Sequence, residues 1–148
     1  MTIASFTIDH NTLEPGMYVS RVDGDITTYD LRTRKPNADC FMDVGTMHSA
    51  EHMLAVYLRN GALAEQIIYF GPMGCQTGFY LLVRNADNAS VLSALKQALQ
   101  ETINHEGEIF GNSAIECGNF RTLCLEKTKA ECALYLEVLE KIDGSMKY

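Results

Sequence analysis

The chain has 148 residues, of which 47% are hydrophobic and 21% charged, a composition typical of one globular domain spanning residues 1–148. Its formal net charge of -7 argues against nucleic acid or an anionic membrane as the main partner. No apolar run approaches the ~20 residues of a membrane span, and residues 1–10 lack the basic and apolar regions of a signal peptide, so we expect a cytoplasmic protein.

The first predicted elements are a strand and the helix that follows it. Residues 26–34 alternate in polarity and are rich in Thr and Tyr, which predicts a strand, and the turn-forming residues 35–39 end it. Thr46 is a candidate N-cap for a helix that runs to about Asn60, with Gly61 just beyond it. One side of this helix is apolar and is expected to face the core: Met47, Leu54 and Leu58.

Two strands and a second helix are predicted in the middle of the chain. Residues 67–70 and 77–84 are apolar strands, and the glycine- and proline-rich residues 71–74 break the chain between them. Asp87 or Asn88 is a candidate cap for the second helix, which carries apolar residues at helical spacing.

A third helix completes the predicted elements. Residues 128–131 have the Thr-x-x-Glu pattern of a capping box, which would open this last helix. Four residues form the apolar stripe that is expected to face the core: Ala130, Leu134, Val138 and Ile142. Together these blocks predict an α+β fold, in which helices cover a small, largely antiparallel sheet.

The most informative motif lies within the first predicted helix. His48 and His52 are four residues apart, so they lie on one helix face and can both bind one metal ion. Glu51 projects beside them, close enough to move a proton next to the metal. This H-x-x-E-H order is the reverse of the zincin motif and is typical of a catalytic metal with a neighbouring base. The alternative is an ordinary amphipathic helix with two buried imidazoles.

A catalytic metal of this type needs a third protein ligand from elsewhere in the chain. The only other histidines are His10 and His105, whereas there are five cysteines, which stay reduced in a cytosolic setting. Cys117 lies in a loop-like segment next to a glycine, where its thiolate could approach a metal closely. Cys40 follows a turn and is ambiguous. The cysteines near the last helix are expected to be small buried residues: Cys124 and Cys132.

Cys75 differs from the other cysteines because it lies in a tight turn, residues 72–78, between two predicted strands. Glycines near the thiol on both sides leave it accessible to whatever occupies the site. A nearby cation would favour its thiolate, which could then act alternately as acid and base. A structural cysteine in a hairpin is an equally supported interpretation.

Five segments in order resemble the LuxS family of S-ribosylhomocysteine lyases, and the resemblance covers nearly the whole chain. Residues 5–11 look like the family's N-terminal strand motif, and residues 29–32 followed by 36–37 look like its Phe-Asp-Ile-Arg…Pro-Asn segment. The other matching segments are residues 48–52, 72–80 and 116–119. The chain departs from the pattern at Tyr69-Phe70-Gly71, where many members carry Asp-Ile-Ser, so an acidic substrate contact expected there is missing.

The resemblance implies an enzyme, a lyase that converts S-ribosylhomocysteine to homocysteine and 4,5-dihydroxy-2,3-pentanedione. This product is the precursor of autoinducer-2, which connects the reaction to quorum sensing and to recycling in the methyl cycle. The implied chemistry is two successive carbonyl shifts, from C1 to C3 of the sugar, followed by β-elimination of the thiol. Cys75 and Glu51 are the implied acid–base residues.

The resemblance also implies a cofactor and an oligomeric state. His48, His52 and Cys117 would hold one divalent metal per subunit, with ferrous iron as the native ion and zinc or cobalt able to substitute. The family forms homodimers with active sites at the interface, where an N-terminal segment of one subunit meets the metal of the other. Three further residues would therefore lie near the substrate: Ser5, His10 and Arg32.

Two other functional classes remain open at the level of sequence. An inverted zincin-type metallopeptidase would use Glu51 to activate water, and it predicts a carboxylate or histidine as third ligand in a much longer chain. A non-enzymatic metal-binding protein would have a closed site with Cys75 as the fourth ligand.

Overall fold

Helices cover one face of a four-stranded antiparallel sheet in the computed structural model, which describes residues 2–148. The strands are β1 (Gly16–Asp23), β2 (Ile26–Arg32), β3 (Ile67–Pro72) and β4 (Gly78–Arg84), in the spatial order β1-β2-β4-β3. The helices are α1 (Val44–Arg59), α2 (Asn88–Ile103) and α3 (Leu125–Glu140), with short 3₁₀ turns at Ala4–Phe6 and Phe120–Thr122. This confirms the predicted α+β fold. Within residues 2–148, no helix is both long and apolar enough to cross a membrane.

The two faces of the sheet have different roles. Tyr29 and Leu31 of β2 are buried in the hydrophobic core under the helices. Asp30 and Arg32 point to the opposite face, because successive side chains of a strand alternate. Both are nevertheless buried, with relative exposures of 1% and 2%. Tyr18 of β1 lies directly beside Asp30 in the strand register. The face away from the helices therefore carries a buried ion pair.

The strands differ from the prediction in several places. β1 is absent from the predicted elements, because its last three residues are exposed and its alternation is weak. β2 ends at Arg32 rather than at residue 34, and residues 71–72, predicted to break the chain, complete β3. Residues 5–11 form no strand, since Ala4–Phe6 is a 3₁₀ turn and turns and bends follow it.

Aspartates cap the first two helices. The Asp43 carboxylate accepts a hydrogen bond of 2.7 Å from the backbone N–H of Thr46, so α1 begins at Val44. The predicted Thr46 cap is therefore wrong, and Thr46 is instead a buried residue of the first turn. The predicted cap of α2 is confirmed as Asp87, whose carboxylate accepts from the backbone N–H of Ser90 at 2.7 Å.

The buried face of α3 was also predicted wrongly. The helix begins at Leu125, so residues 128–131 lie inside it and form no capping box. Its buried residues are Thr128, Glu131, Cys132, Tyr135 and Leu139. In the predicted stripe, Ala130 and Leu134 are exposed, whereas Val138 and Ile142 pack partly against the core. Glu131 can be buried because its carboxylate accepts three hydrogen bonds from Arg34, at 2.6, 2.9 and 3.2 Å.

The cysteines near α3 behave as structural residues. Cys132 is buried in the core, and burial raises the pKa of its thiol to about 12, so it stays protonated and unreactive. Cys124 is half-buried at the N-terminus of α3, where its backbone N–H donates to the Ser49 hydroxyl at 2.7 Å. The prediction of a buried core residue is confirmed for Cys132.

Candidate metal centre

The structure brings the three predicted metal ligands together. His48 and His52 lie one turn apart on α1, and Cys117 lies in the loop that precedes Phe120–Thr122. Their ligand atoms lie within 4.8 Å of one another, and the Cys117 sulfur is 3.2 Å from His48 Nε2. In the described part of the chain, this group contains no fourth member. It therefore has the ligand number of a catalytic metal site with an open position.

The hydrogen bonds around His48 leave its Nε2 free to bind a metal. His48 Nδ1 lies 2.6 Å from the Thr122 hydroxyl, which itself donates to the backbone carbonyl of Asn119 at 3.1 Å. Because a hydroxyl has one proton to donate, Thr122 must accept from the Nδ1–H of His48. Burial lowers the pKa of His48, and His52 lowers it further, which favours the neutral imidazole that metals require.

The second imidazole is oriented in the same way. His52 Nδ1 lies 2.8 Å from the backbone carbonyl of Phe110, which can only accept, so Nδ1 carries the proton and Nε2 is free. Metal-binding histidines usually donate their other ring N–H to such a group. The donor set, two oriented imidazoles and one thiol, therefore fits a divalent transition metal.

Gly111 allows the Phe110 carbonyl to approach His52. Its φ of +69° lies in the left-handed region, and a Cβ at this position would lie 2.8 Å from His52 Nδ1. Such a contact would displace the ring. Neither the role of Gly111 nor that of Thr122 has a local signal in the sequence.

We expect Gly111→Ala to weaken metal binding roughly 10- to 100-fold, the usual effect of disturbing a group that orients a ligand. The measurement is a Co²⁺ or Zn²⁺ titration against a competing chelator. Gly107→Ala is the matched control, because Gly107 also has a positive φ, +94°, but a Cβ there would meet no atom within 4 Å. Equal metal affinity in the two variants would contradict the role given to Gly111.

Cys75 lies on an exposed turn between β3 and β4, as predicted. Its sulfur is 3.1 Å from the Thr77 hydroxyl and 3.8 Å from Arg32 Nη1, which also donates to Thr77 at 2.8 Å. The next residue, Gln76, exchanges two hydrogen bonds with Met42, at 3.0 and 2.7 Å, just ahead of α1. The turn is therefore tied to the start of the helix that carries both histidines.

A cavity of about 730 Å³ contains Cys75 and the three predicted substrate-binding residues, Ser5, His10 and Arg32. His10 Nδ1 lies 2.9 Å from the backbone carbonyl of Ile8 and must donate to it, which leaves Nε2 free. No metal-ligand candidate and no Glu51 side chain lines this cavity, as far as residues 2–148 show. Within one chain, the predicted site is therefore divided between the Cys75 cavity and the metal-binding group.

The two alternative classes fit the geometry less well. A metallopeptidase of the inverted zincin type predicts a carboxylate or histidine as third ligand, but Cys117 occupies that place. A closed structural site predicts Cys75 as the fourth ligand, but Cys75 lies outside the metal-binding group. Glu51 is half-buried on α1, and its carboxylate makes no hydrogen bond to the residues that the structure describes.

Comparisons with known proteins match nearly the whole chain to one family. The family model described as S-ribosylhomocysteinase (LuxS) matches residues 3–145. The chain is 46% identical to the S-ribosylhomocysteine lyase of Desulfotalea psychrophila over 147 residues, covering 95% of this chain and 92% of that protein. It is 43% identical to the enzyme of the same name from Finegoldia magna over 145 residues, covering 95% and 92%. It is 40% identical to that of Borreliella afzelii over 153 residues, covering 99% and 98%.

Proposed function

The chain belongs to the LuxS family of S-ribosylhomocysteine lyases, and we propose that it converts S-ribosylhomocysteine to homocysteine and 4,5-dihydroxy-2,3-pentanedione, the autoinducer-2 precursor. The observation that carries this proposal is the group of His48, His52 and Cys117, in which both imidazoles have Nε2 free for a metal. The five free thiols are consistent with action in the reducing cytoplasm.

The metal is part of this proposal. A divalent cation held by His48, His52 and Cys117 would supply a Lewis acid that polarises a sugar carbonyl and makes the neighbouring C–H acidic. Ferrous iron is the proposed native ion. Zinc or cobalt would substitute, because a site of two imidazoles and one thiolate suits each of these ions.

The side chains then have to move protons. The first carbonyl shift takes a proton from C2 and returns one to C1, and the second takes a proton from C3 and returns one to C2. The carbonyl is now at C3, so removal of the C4 proton expels the sulfur from C5 and leaves an enol between C4 and C5. The departing thiolate takes up a proton to become homocysteine, and the enol becomes the diketone by moving its hydroxyl proton to C5. We assign these transfers to Cys75 and Glu51, each of which would contribute roughly 10²–10⁴-fold to the rate.

A second copy of the chain would complete the site. Cys75 lines a cavity that none of the three metal-binding residues lines, so we infer that the two groups meet across an interface between two copies of the chain. Exposed apolar side chains lie on both halves: Phe6 (76% exposed) and Phe41 (45%) line the cavity, and Ile115 (99%) lies two residues before Cys117. Phe6 and Phe41 share the lining of one cavity, and clustered exposed apolar side chains are typical of surfaces that a partner covers.

Mixed dimers test this arrangement. Cys75→Ala and Cys117→Ala should each be inactive, but co-expressed in equal amounts they should recover about a quarter of the wild-type activity, because half of the dimers are mixed and each mixed dimer has one intact site. The measurement is turnover per total chain, with the dimer verified by light scattering. A mixture as inactive as its components, or a fully active monomer, would contradict the shared site.

The activity itself is tested by incubating the metal-loaded protein with S-ribosylhomocysteine and titrating the released thiol. We expect one equivalent of homocysteine per substrate. The absence of thiol release, or cleavage of a peptide substrate instead, would overturn the proposed function.

A further inference from the structure

Tyr148 contacts the buried ion pair behind the Cys75 cavity. It lies three residues beyond the part of the chain that matches the family, residues 3–145. Its ring stacks on Tyr18, with centroids 4.8 Å apart and an interplanar angle of 11°. Its hydroxyl donates to Asp30 Oδ2 at 2.6 Å. Tyr148 as a whole residue is 48% exposed, whereas Asp30 is only 1% exposed, so Tyr148 extends from the surface to a buried carboxylate.

Asp30 in turn holds Arg32 in one orientation. Asp30 Oδ1 accepts from Arg32 Nε at 3.1 Å, and Oδ2 accepts from Nη2 at 2.7 Å. This bidentate pairing fixes one edge of the planar guanidinium. The remaining nitrogen, Nη1, donates to the Thr77 hydroxyl at 2.8 Å and lies 3.8 Å from the Cys75 sulfur. Arg32 therefore places a positive charge at a fixed position in the wall of the cavity that Cys75 also lines.

The backbone places Tyr148 for this contact. Met146 is buried, and its carbonyl accepts a hydrogen bond of 2.7 Å from the backbone N–H of Val19 on β1. Burial and the hydrogen bond to Asp30 both raise the pKa of Tyr148, so its hydroxyl remains a donor at all ordinary pH values. The contact thus combines an anchored backbone, a stacked ring and a charge-assisted hydrogen bond.

We propose that Tyr148 is a positioning residue for Arg32. By donating to Asp30, it fixes the carboxylate that orients the Arg32 guanidinium toward the cavity. Without the hydroxyl, Asp30 Oδ2 would retain only the hydrogen bond from Arg32, and a buried carboxylate with too few donors relaxes by moving. This inference rests on the proposed function, in which Arg32 contacts S-ribosylhomocysteine.

Tyr148→Phe tests the inference, because it keeps the stacked ring and removes only the hydroxyl. We expect the KM for S-ribosylhomocysteine to rise roughly 3- to 10-fold while kcat changes less than about twofold, the pattern of a lost binding interaction. Metal content should match that of the wild type. Tyr18→Phe is the matched control: its hydroxyl donates to the backbone carbonyl of Glu14 at 2.7 Å, so its KM should not change.

A double-mutant cycle separates positioning from a general structural effect. If Tyr148 acts through Arg32, Tyr148→Phe should raise KM no further in an Arg32→Lys background. An unchanged KM in the single variant, or additive effects in the double variant, would overturn the role of Tyr148 while leaving the lyase activity intact. If the wild type itself releases no homocysteine, the proposed function and this inference both fail.

Discussion

Cys117→Ala is expected to lose the bound metal, and with it the activity, while keeping the fold. Cys117 supplies the only sulfur in the metal-binding group, so its removal leaves the two imidazoles of His48 and His52. Because disturbing an outer group already weakens metal binding roughly 10- to 100-fold, loss of a direct ligand should cost more than 100-fold. The fold should persist, since Cys117 is half-buried in a loop outside the core. Metal analysis after dialysis against a chelator measures this effect.

Cys124→Ala is the control for that experiment. Cys124 is also a half-buried thiol, but its contact with Ser49 uses the backbone N–H, which alanine keeps. This variant should therefore retain both metal and activity. Full metal retention in Cys117→Ala would show that the third ligand has been assigned incorrectly.

Cys75→Ala and Glu51→Gln are expected to keep the metal and lose turnover by roughly 10²–10⁴-fold each, the range typical of a missing acid–base group. Alanine removes the proton-carrying thiol from an exposed turn. Because this leaves no cavity in the core, the backbone should keep its conformation. Glutamine keeps the shape of Glu51 and loses its proton chemistry. The measurements are metal content, substrate binding and the rate of thiol release for each variant.

Cys40→Ala serves as the control for a general effect of removing a thiol. Cys40 is exposed like Cys75, but its sulfur contacts Arg34 at 3.0 Å and it does not line the cavity. A wild-type rate in Cys75→Ala would refute the proposed proton transfers. Loss of metal in Cys75→Ala would instead identify Cys75 as a ligand and favour the closed structural site.

Short-range patterns in the sequence were sufficient for much of this protein. The spacing of His48 and His52 placed both on one face of α1, because helical geometry depends only on neighbouring residues. The Asp87 cap and the strand that became β4 were likewise readable from a few adjacent residues. The cap of α1 was not readable in this way, because Asp43 and Thr46 are both possible caps and lie three residues apart. Only the folded backbone shows that Asp43 is the cap.

The buried face of α3 was decided by a residue far away in the chain. The sequence pattern places Glu131 in a capping box, whereas the structure buries it within α3. Arg34, 97 residues earlier, supplies three hydrogen bonds to its carboxylate. Leu134 appeared to belong in the core, yet it is 57% exposed. A pattern of apolar residues cannot reveal a buried charge whose partner lies on another element.

The functional site likewise combines residues that local motifs predict with contacts that only the tertiary structure shows. The sequence alone was enough to single out His48, Glu51, His52, Cys75 and Cys117, since each lies in a short motif. Only the tertiary structure brought Cys117 to 3.2 Å from His48 and placed the Phe110 carbonyl against His52. It also separated the Cys75 cavity from the metal-binding group and brought Tyr148 to Asp30, 118 residues earlier. Such contacts depend on how strands and loops that are distant in sequence pack together, and this packing cannot be predicted from local periodicity.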